Sequence, residues 1–404
     1  MSKCQKNIAI VSTGRADYGL LYPLIHAIIE NNSFNLEVIA TGTHLSPIHG
    51  MTITNIESDG IKVNERIEMT MISDSEDAIC SSIAMGTIGF SGLYNRKKYD
   101  LIVVLGDRYE LWSVCIPAVI HKIPIAHIHG GESTYGLIDD PIRHSVTKMA
   151  SFHFASIDMY ARRIIQMGER PDRVFTVGAI GLDNINKISL MEINELSEYA
   201  GVNFNERVAL LTYHPVTLDS YNNAGKQIEE VLNALLETDL FSLITMPNSD
   251  TGGNEIFNVI KCFTERHPNK FKIVPNLGQR AYLSAMQYAK LMIGNSSSGI
   301  IEASSFKLPV VNIGDRQGGR YKSDNVIDCI CEKESIVHAI HHAISKEFQE
   351  SLLHIVNPYG NGNTANKIVK ILENFDLKNN ANIIKKGFFN FTDDFILNSI
   401  SRII

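Results

Sequence analysis

Short unbroken apolar runs alternate with longer amphipathic stretches along the chain. NIAIVST, LEVIAT, DLIVVLGD, PIAHIHG, FHFAS and VFTVG come first, each preceding or following a helical pattern. A strand with one wet face would alternate apolar and polar residues. Continuous runs mark strands covered on both faces, so the pattern predicts a parallel α/β sheet. The series lapses in the polar interval NKISLMEINELSEYAGVNFNE, then restarts with VALLTYHP, LFSLITMP, FKIVPN, LMIGNS and LPVVNIGD. Two Rossmann-like α/β domains facing across a cleft are therefore predicted, residues 1–190 and 191–375, with the seam near 185 to 205. The tail, 376–404, ends in GFFNFTDDFILNSISRII. It is rich in Phe and Ile but lacks a basic face, so it is expected to pack back on the protein.

In open parallel sheets, ligands bind beyond the carboxyl ends of the strands. The polar residues there are Ser12 to Asp17, Gly106 to Glu110 and His129 to Asp140 in the first domain, and His214 to Thr217 and Gly294 to Glu302 in the second. Gly14 and Arg15 stand between a strand and a helix. A tight glycine turn there would expose N–H groups to an anion, with a permanent cation beside them. Gly294, Asn295, Ser296, Ser297, Ser298 and Gly299 form a second anion candidate: small residues allow close approach, three hydroxyls donate, and a helix opens behind them. Glu302, further along that helix, is placed to accept from ribose hydroxyls. Arg316 and Arg320, in the glycine-rich GDRQGGR, suit a pyrophosphate. His214, ending a strand before Pro215, suits phosphate contact or proton transfer. Asp107 follows one strand, and His129, Glu132, Asp139, Asp140, Arg143 and His144 follow the next. Crowding of this kind shifts carboxyl pKa values toward the range of a general acid or base. Asp140 also suits a helix N-cap, Arg143 its helix partner, and His127 the core.

Composition narrows the reading. The chain has 404 residues, 44% hydrophobic and 20% charged, the balance of an ordinary globular enzyme. A net charge of −7 with no basic block argues against nucleic-acid and membrane partners, so an anionic substrate must meet local cations. No apolar stretch approaches the ~20 residues needed to span a bilayer. The first apolar run ends at Gly14 and Arg15, as a buried strand does and a signal peptide does not, and a cytoplasmic protein is expected. Cysteines at 4, 80, 115, 262, 329 and 331 form neither CxxC pairs nor zinc-type spacings, and no complete GxGxxG is present. No metal or redox cofactor is expected.

Taken together, STGRADYG, VLGDRYE, HIHGGE, IDDPIRHSVTKM, YHPVT, GNSSSGIIEA and NIGDRQGGR closely resemble, over about residues 7 to 370, the hydrolysing UDP-N-acetylglucosamine 2-epimerases of sialic-acid biosynthesis. The resemblance implies a glycosyltransferase-B-like fold, a nucleotide held mainly by the second domain, and metal-free elimination of UDP followed by hydration to free N-acetylmannosamine. It implies acid/base roles for Asp107 and Asp139, phosphate or leaving-group contacts for Arg15 and His214, and nucleotide contacts from Ser296 to Ser298 and Glu302. It also implies a homodimer or homotetramer. Two positions depart from the family. His129 stands where many relatives carry Glu, leaving Glu132 or the imidazole to replace it, and Leu20 stands where many carry Lys. A hydrolysing 2-epimerase of UDP-N,N′-diacetylbacillosamine fits the same motifs. A glycosyltransferase and a catalytically silent UDP-sugar sensor are the readings from other classes.

Overall fold

Alternating residues of single strands enter opposite cores, as the unbroken apolar runs require. A computed structural model describes residues 5–390 apart from 72, 74, 136–137, 217–223, 247–252 and 275–276. Its first sheet holds β1 (Lys6–Ser12), β2 (Phe34–Thr41), β3 (Val63–Ile67), β4 (Leu101–Leu105), β5 (Ile125–Ile128), β6 (Phe152–Ala155) and β7 (Val174–Thr176), in the order β3-β2-β1-β4-β5-β6-β7. The second holds β8 (Val208–Thr212), β9 (Phe241–Thr245), β10 (Phe271–Val274), β11 (Leu291–Gly294), β12 (Val310–Ile313) and β13 (Val326–Cys329), in the order β10-β9-β8-β11-β12-β13. Every neighbouring pair described is parallel.

Ile8 and Ile10 of β1 join Leu101, Val103 and Leu105 of β4 on one side of the first sheet. Ala9 and Val11 join Ile102 and Val104 on the other. The helix Arg15–Ile29 closes the first of these cores with Leu21, Leu24, Ile25 and Ile28, all fully buried. Each such side chain contributes about 1.5–3 kcal/mol by leaving water.

The apolar runs mark eleven of the strands; the two they miss, β3 (VNERI) and β13 (VIDC), lie at sheet edges. An edge strand has one neighbour and a face open to solvent, so it needs no continuous apolar run. The C-terminal part also packs differently from a simple two-block division. Ala365, Ile368, Val369 and Leu372 of the helix Thr364–Glu373 enter the first domain's core, with Leu377 and Ile383 beyond them. The chain therefore crosses back to the first sheet before residue 375. The Phe389 N–H donates to the Gly168 carbonyl at 2.9 Å. The part of the tail past residue 390 lies outside the described residues.

In each sheet the order of winding reverses once, between β1 and β4 and between β8 and β11. Crevices open at such switch points beyond the carboxyl ends of the strands. Candidate chemistry is therefore concentrated after β1, β4, β8 and β11.

Candidate active site

One pocket of about 300 Å³ spans the two switch points. Asp17, Leu20, Asp107, Arg108, His129, Glu132 and Arg143 line it from the first domain, and Ser297, Ser298, Glu302 and Arg320 from the second. Polar contacts hold the domains together around it. The Tyr135 N–H donates to the Gly318 carbonyl at 3.1 Å, Arg320 Nη2 meets Glu132 Oε2 at 3.1 Å, and the Tyr321 N–H donates to the Tyr160 hydroxyl at 2.9 Å.

Arg143 organises the first-domain side. It lies in the helix Asp139–Met149 and is buried, with 1% of its surface exposed. A buried guanidinium requires partners on every edge. Nη2 donates to Asp107 and, at 3.2 Å, to Thr134 Oγ1; Nη1 donates to Asp140 and, at 3.1 Å, to the Glu132 carbonyl. Burial alone would push the Asp107 carboxyl up, but the positive charges of Arg143, Arg320 and Arg108 prevail and hold it below the usual carboxylate range. Asp140 is likewise held down against burial, here by donors from Ser133 and the Thr134 N–H. The contact between Arg143 and Asp140 is one branch of a network that reaches the pocket.

His129 follows β5 with a φ of 64°, a left-handed conformation that is uncommon outside glycine. That turn brings both ring nitrogens to partners. His129 Nε2 accepts from the Ile180 N–H at 3.2 Å, so the ring proton sits on Nδ1, which faces Glu132 Oε1 at 3.3 Å. Burial lowers the imidazole's pKa, and the neighbouring Glu132 only partly restores it. Glu132, 2% exposed, also accepts from the Ser156 hydroxyl at 3.2 Å. His127 is a satisfied core histidine: Nε2 lies 2.7 Å from the Gly106 carbonyl and Nδ1 3.1 Å from Thr147 Oγ1.

After β1 the geometry differs from the expected glycine turn. Gly14 is extended (φ −172°) and caps the helix Arg15–Ile29. Its need for glycine is spatial, because a Cβ would sit 2.6 Å from Thr43 Oγ1. Arg15 is exposed at the helix start, outside the residues that line the pocket, whereas Asp17, one turn in, lines it and accepts from the Thr13 hydroxyl. Burial raises the Asp17 carboxyl from 3.8 to about 6; Arg108 and Thr13 oppose the rise, and Glu110 and Asp107 reinforce it.

On the second-domain side Gly294 bends the chain off β11 at φ 129°, where any Cβ would strike the Thr212 carbonyl oxygen at 1.9 Å. Ser296 then caps the short helix Ser297–Ile301 by accepting from the Ser298 N–H at 3.4 Å. Ser297 and Ser298 turn into the pocket, while Gly299 is buried against Val310. Burial raises the Glu302 carboxyl, with Ser298 opposing. Asn295 joins the ends of β8 and β11. Its side chain accepts from the His214 N–H at 2.7 Å and donates to the His214 carbonyl at 2.8 Å, while its own carbonyl accepts from Arg316 at 3.2 Å and Gln317 at 2.8 Å. His214 is buried and its pKa falls to about 3, through burial and then the Arg316 charge.

The structure thus gathers Asp107, His129, Glu132, Ser297, Ser298, Glu302 and Arg320 on one pocket. Arg15, His214, Ser296, Gly299 and Arg316 are not among its lining residues. Asp139 is half-buried at the start of its helix and is not among the lining residues. Sequence reasoning placed Asp17 and Arg108 in the polar stretches after β1 and β4 without giving either a role, and gave Arg143 only a local one. The available signal was their position in the first turns after β1 and β4 and in the helix after β5. Among the described residues, no group of three or more His, Cys, Asp or Glu is arranged to hold a metal ion, and no helix is long and apolar enough to cross a membrane.

Comparison with known proteins gives concordant matches. The family model described as UDP-N-acetylglucosamine 2-epimerase matches residues 26–373. The chain is 39% identical over 390 residues to the Campylobacter jejuni GDP/UDP-N,N′-diacetylbacillosamine 2-epimerase (hydrolyzing), covering 96% of this chain and 99% of that one. It is 36% identical to the Escherichia coli polysialic acid biosynthesis protein P7, over 92% of this chain and 94% of that one. The crystal structure of UDP-GlcNAc 2-epimerase from Neisseria meningitidis bound to UDP-GlcNAc superposes with a TM-score of 0.78 at 18% identity, covering 91% of this chain and all of that one.

Proposed function

The chain belongs to the UDP-N-acetylglucosamine 2-epimerase family, and from that membership we infer that it is a hydrolysing 2-epimerase that converts UDP-N-acetylglucosamine and water into N-acetylmannosamine and UDP. The observation that carries this reading is the single pocket on which carboxylates from one domain face the serine loop, Glu302 and Arg320 from the other. The chemistry demands that combination. C2 of the sugar has no neighbouring carbonyl, so its hydrogen leaves only together with a good leaving group at C1. A base must face C2, and donors and cations must receive the negative charge that develops on the diphosphate.

In this reading Asp107, kept ionised by Arg143, takes the C2 proton. Glu132, fixed by His129, Ser156 and Arg320, faces the sugar from the other side of Asp107. The serine loop holds the diphosphate with Arg316 and Arg320, Glu302 accepts from the ribose, and Arg15 and His214 border the phosphates. Aligned donors at Ser297 and Ser298 need not reorganise as charge develops, which is the main source of such stabilisation.

A second reading has specific support. The Campylobacter jejuni relative and a Legionella pneumophila relative at 32% identity are both named as hydrolysing 2-epimerases of N,N′-diacetylbacillosamine nucleotides. The two substrates differ at C4 and C6 and share the reacting carbons. Incubating the protein with each UDP-sugar and identifying the free sugar by NMR decides between them. Release of UDP with no free 2-epimeric sugar from either would defeat both. The enzyme acts in the cytoplasm as a homodimer or homotetramer, and light scattering that shows a monomer at working concentration would refute the assembly.

A further inference from the structure

Inversion at C2 through an unsaturated sugar needs two proton transfers: a base removes a proton from one face, and an acid returns one to the other. The pocket supplies carboxyls with contrasting surroundings. Asp107 is turned toward Arg143, on the β5 side, and lies under the charges of Arg143, Arg320 and Arg108. Glu132 is engaged by His129, Ser156 and Arg320. The charges around Asp107 favour its ionised form. Asp17 lies one strand over, after β1, and its described hydrogen-bond partner is the Thr13 hydroxyl on the far side from Arg143. Strands β1 and β4 are neighbours, so Asp17 and Asp107 stand about one strand spacing apart, roughly 5 Å, on the same pocket. That places both carboxyls within reach of one sugar carbon.

We propose, resting on the 2-epimerase reading, that Asp17 is the acid that delivers the proton to C2 when the unsaturated sugar is hydrated. In the first half-reaction Asp107 accepts the C2 proton, the C–H electron pair becomes the C1=C2 bond, and the C1–O pair leaves with UDP. In the second, the O–H bond of the Asp17 carboxylic acid breaks and its proton bonds to C2 with the C1=C2 electron pair. Water bonds to C1 and gives up a proton to solvent. The groups that face Asp17 are Thr13, Arg108, Glu110 and Asp107. Burial together with the two carboxylates outweighs Arg108 and Thr13, so Asp17 keeps its proton up to about pH 6 while Asp107 does not. Carboxyls whose environments drive them apart are the usual sign of an acid and base pair. Glu302, also raised, stands on the serine-loop side beside Ser298.

Asp17→Asn keeps the shape and removes the acid. With UDP-N-acetylglucosamine the variant is expected to release UDP within about tenfold of the wild-type rate while free N-acetylmannosamine falls ~10²–10⁴-fold. The C1=C2 unsaturated sugar should accumulate in its place, visible by NMR. The alkaline limb of the wild-type kcat profile, set by loss of the Asp17 proton, should vanish, and Asp17→Glu should restore part of the N-acetylmannosamine. Normal product with an unchanged pH profile would overturn the proposal. So would loss of UDP release along with the product, which puts Asp17 in the elimination, or loss of UDP binding by calorimetry, which makes it structural. Failure of the underlying reading looks different, because the wild-type protein would then yield no free 2-epimeric sugar.

Discussion

The family resemblance leads to the expectation of a carboxylate where His129 stands, and the contacts of His129 show what the imidazole does there. One ring nitrogen accepts from the Ile180 N–H and the other faces Glu132, so the imidazole is used up in positioning. Glu132→Gln is therefore expected to lower turnover ~10²–10⁴-fold, and His129→Ala to act more weakly, chiefly on the orientation of Glu132. Steady-state rates of the two variants give the comparison; a severe loss confined to His129→Ala would reverse the assignment. Asp107→Asn should stop turnover while UDP affinity, read by calorimetry, stays within a few-fold of wild type. Asp107 and Glu132 could be found from sequence because each directly follows an apolar run. Asp17 and Arg143 could be placed near strand ends but given no role there, since their importance depends on partners from other strands: Arg108 and Asp107 around Asp17, and Asp107 and the Glu132 carbonyl around Arg143.

Among the elements, the turn from β11 into the helix Ser297–Ile301 is the most constrained. The close approach of Gly294 to Thr212 leaves no space for a methyl group, and its φ of 129° excludes other residues. Gly294→Ala should destabilise the second domain by roughly 1–3 kcal/mol and weaken UDP binding with it, which thermal unfolding with and without UDP would measure. An unshifted melting temperature would contradict the geometry. Replacing Ser297 and Ser298 by Val should weaken UDP binding without comparable loss of stability, because both face the pocket. Unchanged affinity by calorimetry would remove the nucleotide from this loop. The interior strands could be read from sequence because both their faces are covered, and the edges β7 and β10 because their runs stay mostly apolar; β3 and β13 could not, because these two edges carry polar residues such as Asn64, Glu65 and Asp328.

For the whole molecule, buried histidines set the acid limit. Burial holds His127 and His214 at about 3 and His44 at about 4, against 6.5 in an exposed chain. Between about 6.5 and those values the unfolded chain binds protons that the folded chain refuses, so stability falls as pH drops through this window. At pH 5 the loss is on the order of 2 kcal/mol per histidine. Asp17 works in the opposite sense, because its raised pKa lets the folded chain bind a proton between about 6 and 3.8 that the unfolded chain releases. Denaturant unfolding at pH 7 and pH 5 should show a net loss at pH 5, and equal stabilities would contradict it. Turnover should also survive EDTA, and activity lost to chelation and restored by a divalent ion would refute metal-free chemistry. The most direct test of the account is turnover of UDP-N-acetylglucosamine in heavy water with NMR of the released sugar. Elimination and hydration predict free N-acetylmannosamine with deuterium at C2, whereas a product that keeps protium at C2 or the gluco configuration would contradict the mechanism at its centre.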